Sequence, residues 1–294
     1  MTKAIEIKDL NLRLISKDPR DQDFELKNIN LDILQGTIVG LIGKNGAGKT
    51  TLIRAIMNAV KADQGTIKVF GVNNKIKNFA KVKENIGLGL TDLPFSGKNN
   101  IYELDEFYSK VYKYWDRSYF LNLARELKIP ASKQVKEYST GMKKSLSLAL
   151  ALGNKPDLLI FDEITANLDP FARDKILDII YDYSRDPKKT VLISSHILSD
   201  LEKICDYIIY LDKGQVKLFE EKDRLMEKYV LIKVGKETYE KLDKGKIISE
   251  KKSPYAYELL MERKDLPQGI DPEFISLDDL FIRLFGGSNE NKGN

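Results

Sequence analysis

Apolar and polar positions alternate in "IEIKDLNLRL", Ile5 to Leu14, and again in "INLDIL", Ile29 to Leu34. That period of two predicts strands with one face in a core and the other in water. "GTIVGLIG", Gly36 to Gly43, is a denser apolar run suited to a strand buried on both faces. The polar, proline-containing "ISKDPRDQD" between the first two strands predicts an exposed loop. After Gly43 the period changes, and in "KTTLIRAIMNAV" Leu52, Ile53, Ile56 and Val60 recur at helical spacing. A strand that runs through a glycine-rich turn into a helix opens an α/β layer.

Residues from about 92 to 153 are mostly helical in pattern. In "IYELDEFYSKVYKYW" the side chains Phe107, Tyr108, Val111, Tyr112 and Trp115 form an aromatic stripe at helical spacing, read as core packing. Strands return in "PDLLIFDE" and "KTVLISS", each followed by helical periodicity. Asp169-Pro170 supplies an N-cap and first-turn proline, and Ser199 to Glu202 reads as a capping box before Leu201, Ile204, Cys205 and Ile208. "YIIYLDKGQVKLF" predicts a hairpin through Asp212-Lys213-Gly214. Beyond it the character changes. Residues 222–285 read as a small accessory α+β domain, with strand-like "YVLIKV" and helical "SLDDLFIRLF", and 286–294 as a disordered tail.

Composition narrows the classes. With 42% hydrophobic and 31% charged residues the chain is of the soluble globular kind. Its 48 basic and 44 acidic side chains balance too evenly to argue for a nucleic-acid partner, and the lysines of "NKIKNFAKVKEN" read as a solvated helix face. Cys205 is the only cysteine and sits among apolar neighbours, which points to a reducing cytosol and a buried, inert thiol. The N-terminus lacks a signal-peptide pattern, and no apolar run reaches the roughly 20 residues that span a bilayer. A membrane role would therefore come through a partner.

One motif carries chemistry on its own, and a second acquires it from the first. "GKNGAGKTT" fits G-x-x-x-x-G-K-[ST] and lies between a strand and a helix, the context this phosphate loop requires. It nominates Gly43, Asn45, Gly46, Ala47, Gly48, Lys49, Thr50 and Thr51 as the ATP-binding loop. The glycines let backbone N–H groups converge on phosphate, Lys49 neutralises phosphate oxygens, and the Thr50 hydroxyl ligates Mg²⁺. In "LLIFDE" an apolar strand ends in two carboxylates; Asp162 would hold Mg²⁺ through its waters and Glu163 would polarise the attacking water as general base.

"YSTGMKK" followed by the apolar "SLSLALAL", then "ITANLDP" after "FDE", then "TVLIS" leading to His196, follow in the order of the signature, D-loop and H-loop of ATP-binding cassette (ABC) ATPases. The chain resembles that family over roughly residues 4 to 219. The resemblance implies an α/β P-loop NTPase fold with an antiparallel β subdomain, a mixed-sheet core and an inserted helical subdomain, together filling residues 1–221. It also implies that Ser139 and Gly141 bind the γ-phosphate held by a second ATPase subunit, in a homodimer or heterodimer, with Asp169 of the D-loop in the nucleotide-binding set. His196, the only histidine, would hydrogen-bond the γ-phosphate and help position the water and Glu163. Phe24 is the candidate to stack on adenine, or else a core phenylalanine.

Three places depart from the family pattern. Thr91, followed by Asp92, stands where the Q-loop glutamine is usual, and either side chain could reach the Mg²⁺ shell. Thr140 and Met142 replace glycine and glutamine in the signature, and Ile164 and Asn167 replace proline and glycine near the D-loop. Because Lys49, Ser139, Gly141, Asp162, Glu163 and His196 remain, an active ATPase is expected. "Y-S-x-G-M-K", "FYSKVYKYWD" and the segment running through His196 are similar to the ATPase subunits of bacterial ABC-2 exporters, including those encoded beside GntR-type regulators that export phenol-soluble modulins. That implies an ATPase at the cytoplasmic face of the cell membrane, held there by an integral membrane permease subunit. The competing readings are a ribosome-associated or DNA-repair ABC ATPase, against which stand a single cassette and no sustained heptads, and a simple P-loop kinase, against which stand "STG" and His196.

Overall fold

The computed structural model describes residues 2–15, 23–90 and 97–286. Residues 16–22 of the expected loop, Thr91, Asp92 and the tail from 287 lie outside the described residues. The chain divides into two compact units, Met1–Phe219 and Glu220 onward.

The first unit begins with β1 (Lys3–Leu14) and β2 (Phe24–Leu34), antiparallel to each other and broken by register shifts. Their alternating burial follows the alternating sequence: Ile5, Ile7, Leu10 and Leu12 face inward with Leu26, Ile29, Leu31 and Ile33. After β3 (Ile38–Ile42) and α1 (Lys49–Ile56), β4 (Gln64–Val69) and β5 (Val72–Asn73) complete a four-stranded antiparallel sheet, ordered β2-β1-β4-β5. α1 is shorter than its apolar spacing suggests, because Met57 closes it and Asn58 turns the chain through positive φ. Val60 still packs on the core from outside the helix.

The second sheet starts with β6 (Ile86–Gly89), after the short α2 (Phe79–Lys83). Three helices then intervene: α3 (Ile101–Val111), α4 (Arg117–Glu126) and α5 (Thr140–Leu152). The chain returns through β7 (Leu158–Asp162), α6 (Pro170–Ser184), β8 (Thr190–Ser195), α7 (Leu198–Ile204), β9 (Tyr207–Asp212) and β10 (Gln215–Glu221). The sheet order is β10-β9-β3-β8-β7-β6, with β9, β3, β8, β7 and β6 parallel. Every residue of β3, β7 and β8 is buried, which is why these segments are mostly apolar, with Asp162, Thr190, Ser194 and Ser195 as the buried polar exceptions. At roughly 1.5–3 kcal/mol per large apolar side chain removed from water, these central strands anchor the unit.

Two expectations from the pattern give way. The Ser199–Glu202 capping box does not form: α7 starts two residues earlier than such a box requires, Ile197 sits at the cap with no side-chain bond, and the helix ends at Ile204 so that Ile208 belongs to β9. The aromatic stripe is only half in the core. α3 stops at Val111, with Phe107 and Val111 exposed, while Tyr108, Tyr112 and Trp115 stack on one another and Trp115 donates to buried Asp105. The helix instead buries Ile101, Leu104 and Asp105.

The second unit contains α8 (Lys222–Lys228), β11 (Tyr229–Val234), α9 (Lys236–Lys241), β12 (Ile247–Lys252), β13 (Tyr257–Glu262) and α10 (Leu277–Phe285). Its strands form an antiparallel sheet ordered β11-β13-β12, around a small core of Val230, Ile232, Val234, Leu259 and Met261.

The β9–β10 turn bears on the phosphate loop. Lys213 and Gly214 both have positive φ, the Gly214 N–H donates to Ala47 O (3.0 Å), and Gly214 O accepts from Lys27 N (2.8 Å). A Cβ on Gly214 would sit 1.8 Å from Glu25 O. Gly214→Ala should therefore destabilise the fold by ~2–4 kcal/mol, read as a lowered midpoint in urea unfolding. An unchanged midpoint would show that the turn and phosphate loop are not tied as described.

Candidate nucleotide-binding and hydrolysis site

The loop from Gly43 to Gly48 leaves the end of β3 and enters α1 at Lys49, with Gly46 and Gly48 at positive φ. Gly48 has no room for a side chain, since a Cβ there would lie 2.5 Å from Phe24 Cζ. Phe24 thus packs on the core and lines the open cavity above the loop at once, so its two candidate roles are compatible. That cavity holds about 520 Å³ and is lined by the loop residues Lys44 to Thr51 together with Leu14, Phe24, Lys144, Glu163, Ala166, Asn167 and His196.

Lys49 is 6% exposed and donates to Gly43 O at 2.7 Å, which curls the loop around its ammonium group. Its Nζ also lies 3.2 Å from Glu163 Oε1. The register of β7 on β8 sets Asp162 opposite Ser194. Asp162 accepts from two hydroxyls, Thr50 Oγ1 and Ser194 Oγ, each at 2.7 Å. Thr50 Oγ1 and the Asp162 carboxylate are hard oxygen donors at the lip of the phosphate loop. Among the described residues no group of three or more His, Cys, Asp or Glu side chains could hold a metal ion. A cation here would take most of its ligands from phosphate and water, which suits Mg²⁺.

Glu163 follows β7 in the left-handed region, at φ 53°. For a residue with a Cβ this costs on the order of 1–3 kcal/mol, and several bonds offset it. Its N–H is shared between Ser194 Oγ (3.0 Å) and Ser194 O (3.2 Å), and its carbonyl accepts from Lys144 Nζ (2.7 Å) and Ala166 N (3.3 Å). The turn aims the carboxylate at His196, whose Nδ1 lies 2.6 Å from Glu163 Oε2. An ionised carboxylate can only accept, so Nδ1 carries the proton and donates. The imidazole is half exposed, a surface position that no core histidine would need.

Ser139 and Gly141 do not line this cavity. Ser139 is exposed and caps α5, accepting from Met142 N at 3.3 Å; Gly141 faces Leu168 beyond Glu163. Asp169 is exposed and caps α6, accepting from Phe171 N and Ala172 N. One chain therefore brings together Lys49, Thr50, Asp162, Glu163 and His196, and leaves Ser139, Gly141 and Asp169 apart from them.

Residues 26–166 match the family model for the ABC transporter. The ABC transporter ATP-binding protein YtrB of Bacillus subtilis (strain 168) is 33% identical over 294 residues, covering 95% of this chain and 98% of that protein. This chain belongs to the ABC transporter ATP-binding family. The bacitracin transport ATP-binding protein BcrA of Bacillus licheniformis is 33% identical over 66% of this chain and 63% of its own length. The dimeric post-hydrolysis structure of the ATP-binding cassette MJ0796, bound to ADP and Pi, has the same fold, with a TM-score of 0.62 at 21% identity over 74% of this chain and 98% of that one. The protein is accordingly an ATP-hydrolysing enzyme of the ABC class, whose members work with membrane permease subunits.

Two side chains of this ABC ATPase's site lie inside the motif stretches but have no role assigned from the sequence. Ser194, fully buried, bonds both Asp162 and the Glu163 backbone; its signal was its place two residues before His196 on the strand paired with β7. Lys144 is buried although it stands between Lys143 and Ser145, and no local pattern marks it. Ser194→Ala removes one hydroxyl donor from the buried Asp162 carboxylate and one of the two acceptors of the Glu163 N–H. It should lower ATP turnover about 10-fold to 100-fold while nucleotide affinity changes little, as measured by steady-state hydrolysis and fluorescent-nucleotide titration. Wild-type turnover would remove Ser194 from the site.

Proposed function

We propose that the protein is the ATP-hydrolysing subunit of a membrane exporter, bound through a permease subunit at the cytoplasmic face of the cell membrane, and that peptides or antimicrobial compounds are its cargo. The observation that carries the ATPase half is the Glu163 carboxylate held between Lys49 and His196 at the mouth of the phosphate loop. Likeness to a bacitracin transport protein supports the cargo class. No described helix is long and apolar enough to cross a membrane, in keeping with a separate permease. Phe107 and Val111, exposed one turn apart on α3, and Tyr114 just after it supply apolar surface to meet it.

In this reading two ATPase chains close head to tail on two ATP molecules. Each site combines one chain's residues Gly43 to Thr51, Asp162, Glu163 and His196 with the other chain's Ser139, Gly141 and Asp169. The exposed N-terminus of α5 suits the γ-phosphate of the opposite site. Phe24 flanks the loop on the side where adenine would stack. Thr50 and Asp162 would hold Mg²⁺, which supplies charge neutralisation between the phosphates.

Phosphate oxygens and Glu163 Oε1 compete for Lys49, so ATP binding frees that carboxylate oxygen for water. Water then attacks the γ-phosphorus, the bond to the ADP oxygen breaks, and Glu163 accepts the proton lost by the water. His196 orients Glu163 through Nδ1 and keeps Nε2 for the γ-phosphate. Residues 222–285 are proposed as an accessory domain outside this cycle.

His196→Ala should leave the fold and ATP affinity within about threefold of wild type and lower turnover at least about 100-fold. The check is ATPase assay beside nucleotide titration; near-normal turnover would remove the histidine from the chemistry. Transport of a labelled peptide into inside-out vesicles containing the permease tests the exporter half independently.

A further inference from the structure

Lys144 is 2% exposed, in a helix whose following residues, Ser145 to Leu152, are all buried. Burial in apolar surroundings lowers its pKa, an effect partly opposed by the nearby Glu163 charge. A lysine retained there needs acceptors, because an unpaired buried ammonium is strongly destabilising. It has two, and neither is a carboxylate. Its Nζ donates to the carbonyl of Glu163 at 2.7 Å and to the carbonyl of Ala166.

These carbonyls lie at the two ends of the turn that presents the base. Glu163 and Asn167 are both left-handed, at φ 53° and 58°, and Ala166 N closes the turn onto Glu163 O. Lys144 therefore clamps the segment from Glu163 to Asn167 from beneath, while Lys49 and His196 hold the Glu163 carboxylate from above. The clamp belongs to the helix that Ser139 caps. Five residues of α-helix separate Ser139 from Lys144, about 7.5 Å of rigid rise. On the same helix Gly141 faces Leu168 Cδ2, with only 3.4 Å available for a Cβ. A shift of the first turn of α5 is thus transmitted to the turn that carries Glu163.

We propose that Lys144 is a positioning residue that couples the signature helix to the catalytic carboxylate of its own chain. Engagement of Ser139 and Gly141 by a γ-phosphate bound to the other chain then sets the Glu163 geometry in the first chain's site, so that each nucleotide licenses hydrolysis of the other. The link from Lys144 to Glu163 stands on the geometry of one chain. Its extension across two sites rests on the two-chain reading above.

The test uses the full chain carrying Lys144→Met, which keeps the buried aliphatic stem and removes the donors, and Lys144→Arg, which restores donors for two carbonyls. Lys144→Met should lower kcat about 10-fold to 100-fold with nucleotide affinity within about threefold, and Lys144→Arg should recover part of the loss. Preserved nucleotide affinity also reports that the variant folds. Turnover within about twofold of wild type, or a loss of affinity as large as the loss of kcat, overturns the proposal.

A second arm separates this idea from the two-chain reading. Glu163→Gln alone and Glu163→Gln with Lys144→Met are compared by gel filtration with ATP. If Lys144 acts only through Glu163, both form the same ATP-bound dimer. A dimer from the single variant and none from the double would place Lys144 in the subunit interface and overturn the proposal. A single variant that stays monomeric overturns the two-chain reading and the cross-site extension, and the kinetic arm then decides the Lys144–Glu163 link by itself.

Discussion

The register of three parallel strands is the constraint on which the site depends. β8 runs between β3 and β7, with Ser195 opposite Ile42 and Ser194 opposite Asp162, so all three strands end at one level. The phosphate loop, the acidic pair and the histidine leave from those ends into a common space. A slip of one residue in β7 would exchange Asp162 and Glu163, turning the base into the wall and the metal-side carboxylate into solvent. The full burial of β3, β7 and β8 guards against that slip, because it gives each strand one favourable alignment in the core.

Around that frame, polar side chains replace the apolar contacts that catalysis cannot use. Ser194 joins Asp162 to the Glu163 backbone, and Lys144 reaches the same turn from α5. Together they stabilise a left-handed glutamate that the chain would not otherwise adopt. The carboxylate proposed as the base is thus positioned from three elements, β7, β8 and α5, of which the last opens at Ser139. Because Ser139 caps α5 on the surface while Lys144 anchors its second turn inside, the proposed recognition and positioning roles sit close together at the start of one helix.

Much of this was legible in the sequence, for reasons that differ by residue. Gly43 to Thr51 could be read because close approach of backbone to phosphate demands small residues at set intervals, and Asp162-Glu163 because two carboxylates ending an apolar strand have few structural uses beside a phosphate loop. His196 needed the ordered motifs around it, since a lone histidine is chemically ambiguous; its half exposure and its contact with Glu163 support the role proposed for it. Ser194 and Lys144 escaped because their roles come from pairing across strands and between a helix and a turn, contacts with no short-range pattern. The Ser199–Glu202 cap failed for the opposite reason: a local pattern was present, but the exit of the chain from β8 started the helix at Leu198.

The central claim is that one chain holds only part of a hydrolytic site and a second chain's Ser139 region completes it. The direct measurement is cysteine cross-linking between two tagged populations in a Glu163→Gln background, one carrying Asn45→Cys and the other Ser139→Cys. With ATP and magnesium, a disulfide-linked species of twice the 33.6 kDa chain should form, and it should be absent without nucleotide. Monomers alone with ATP, or cross-linking at the same rate without nucleotide, would contradict the account.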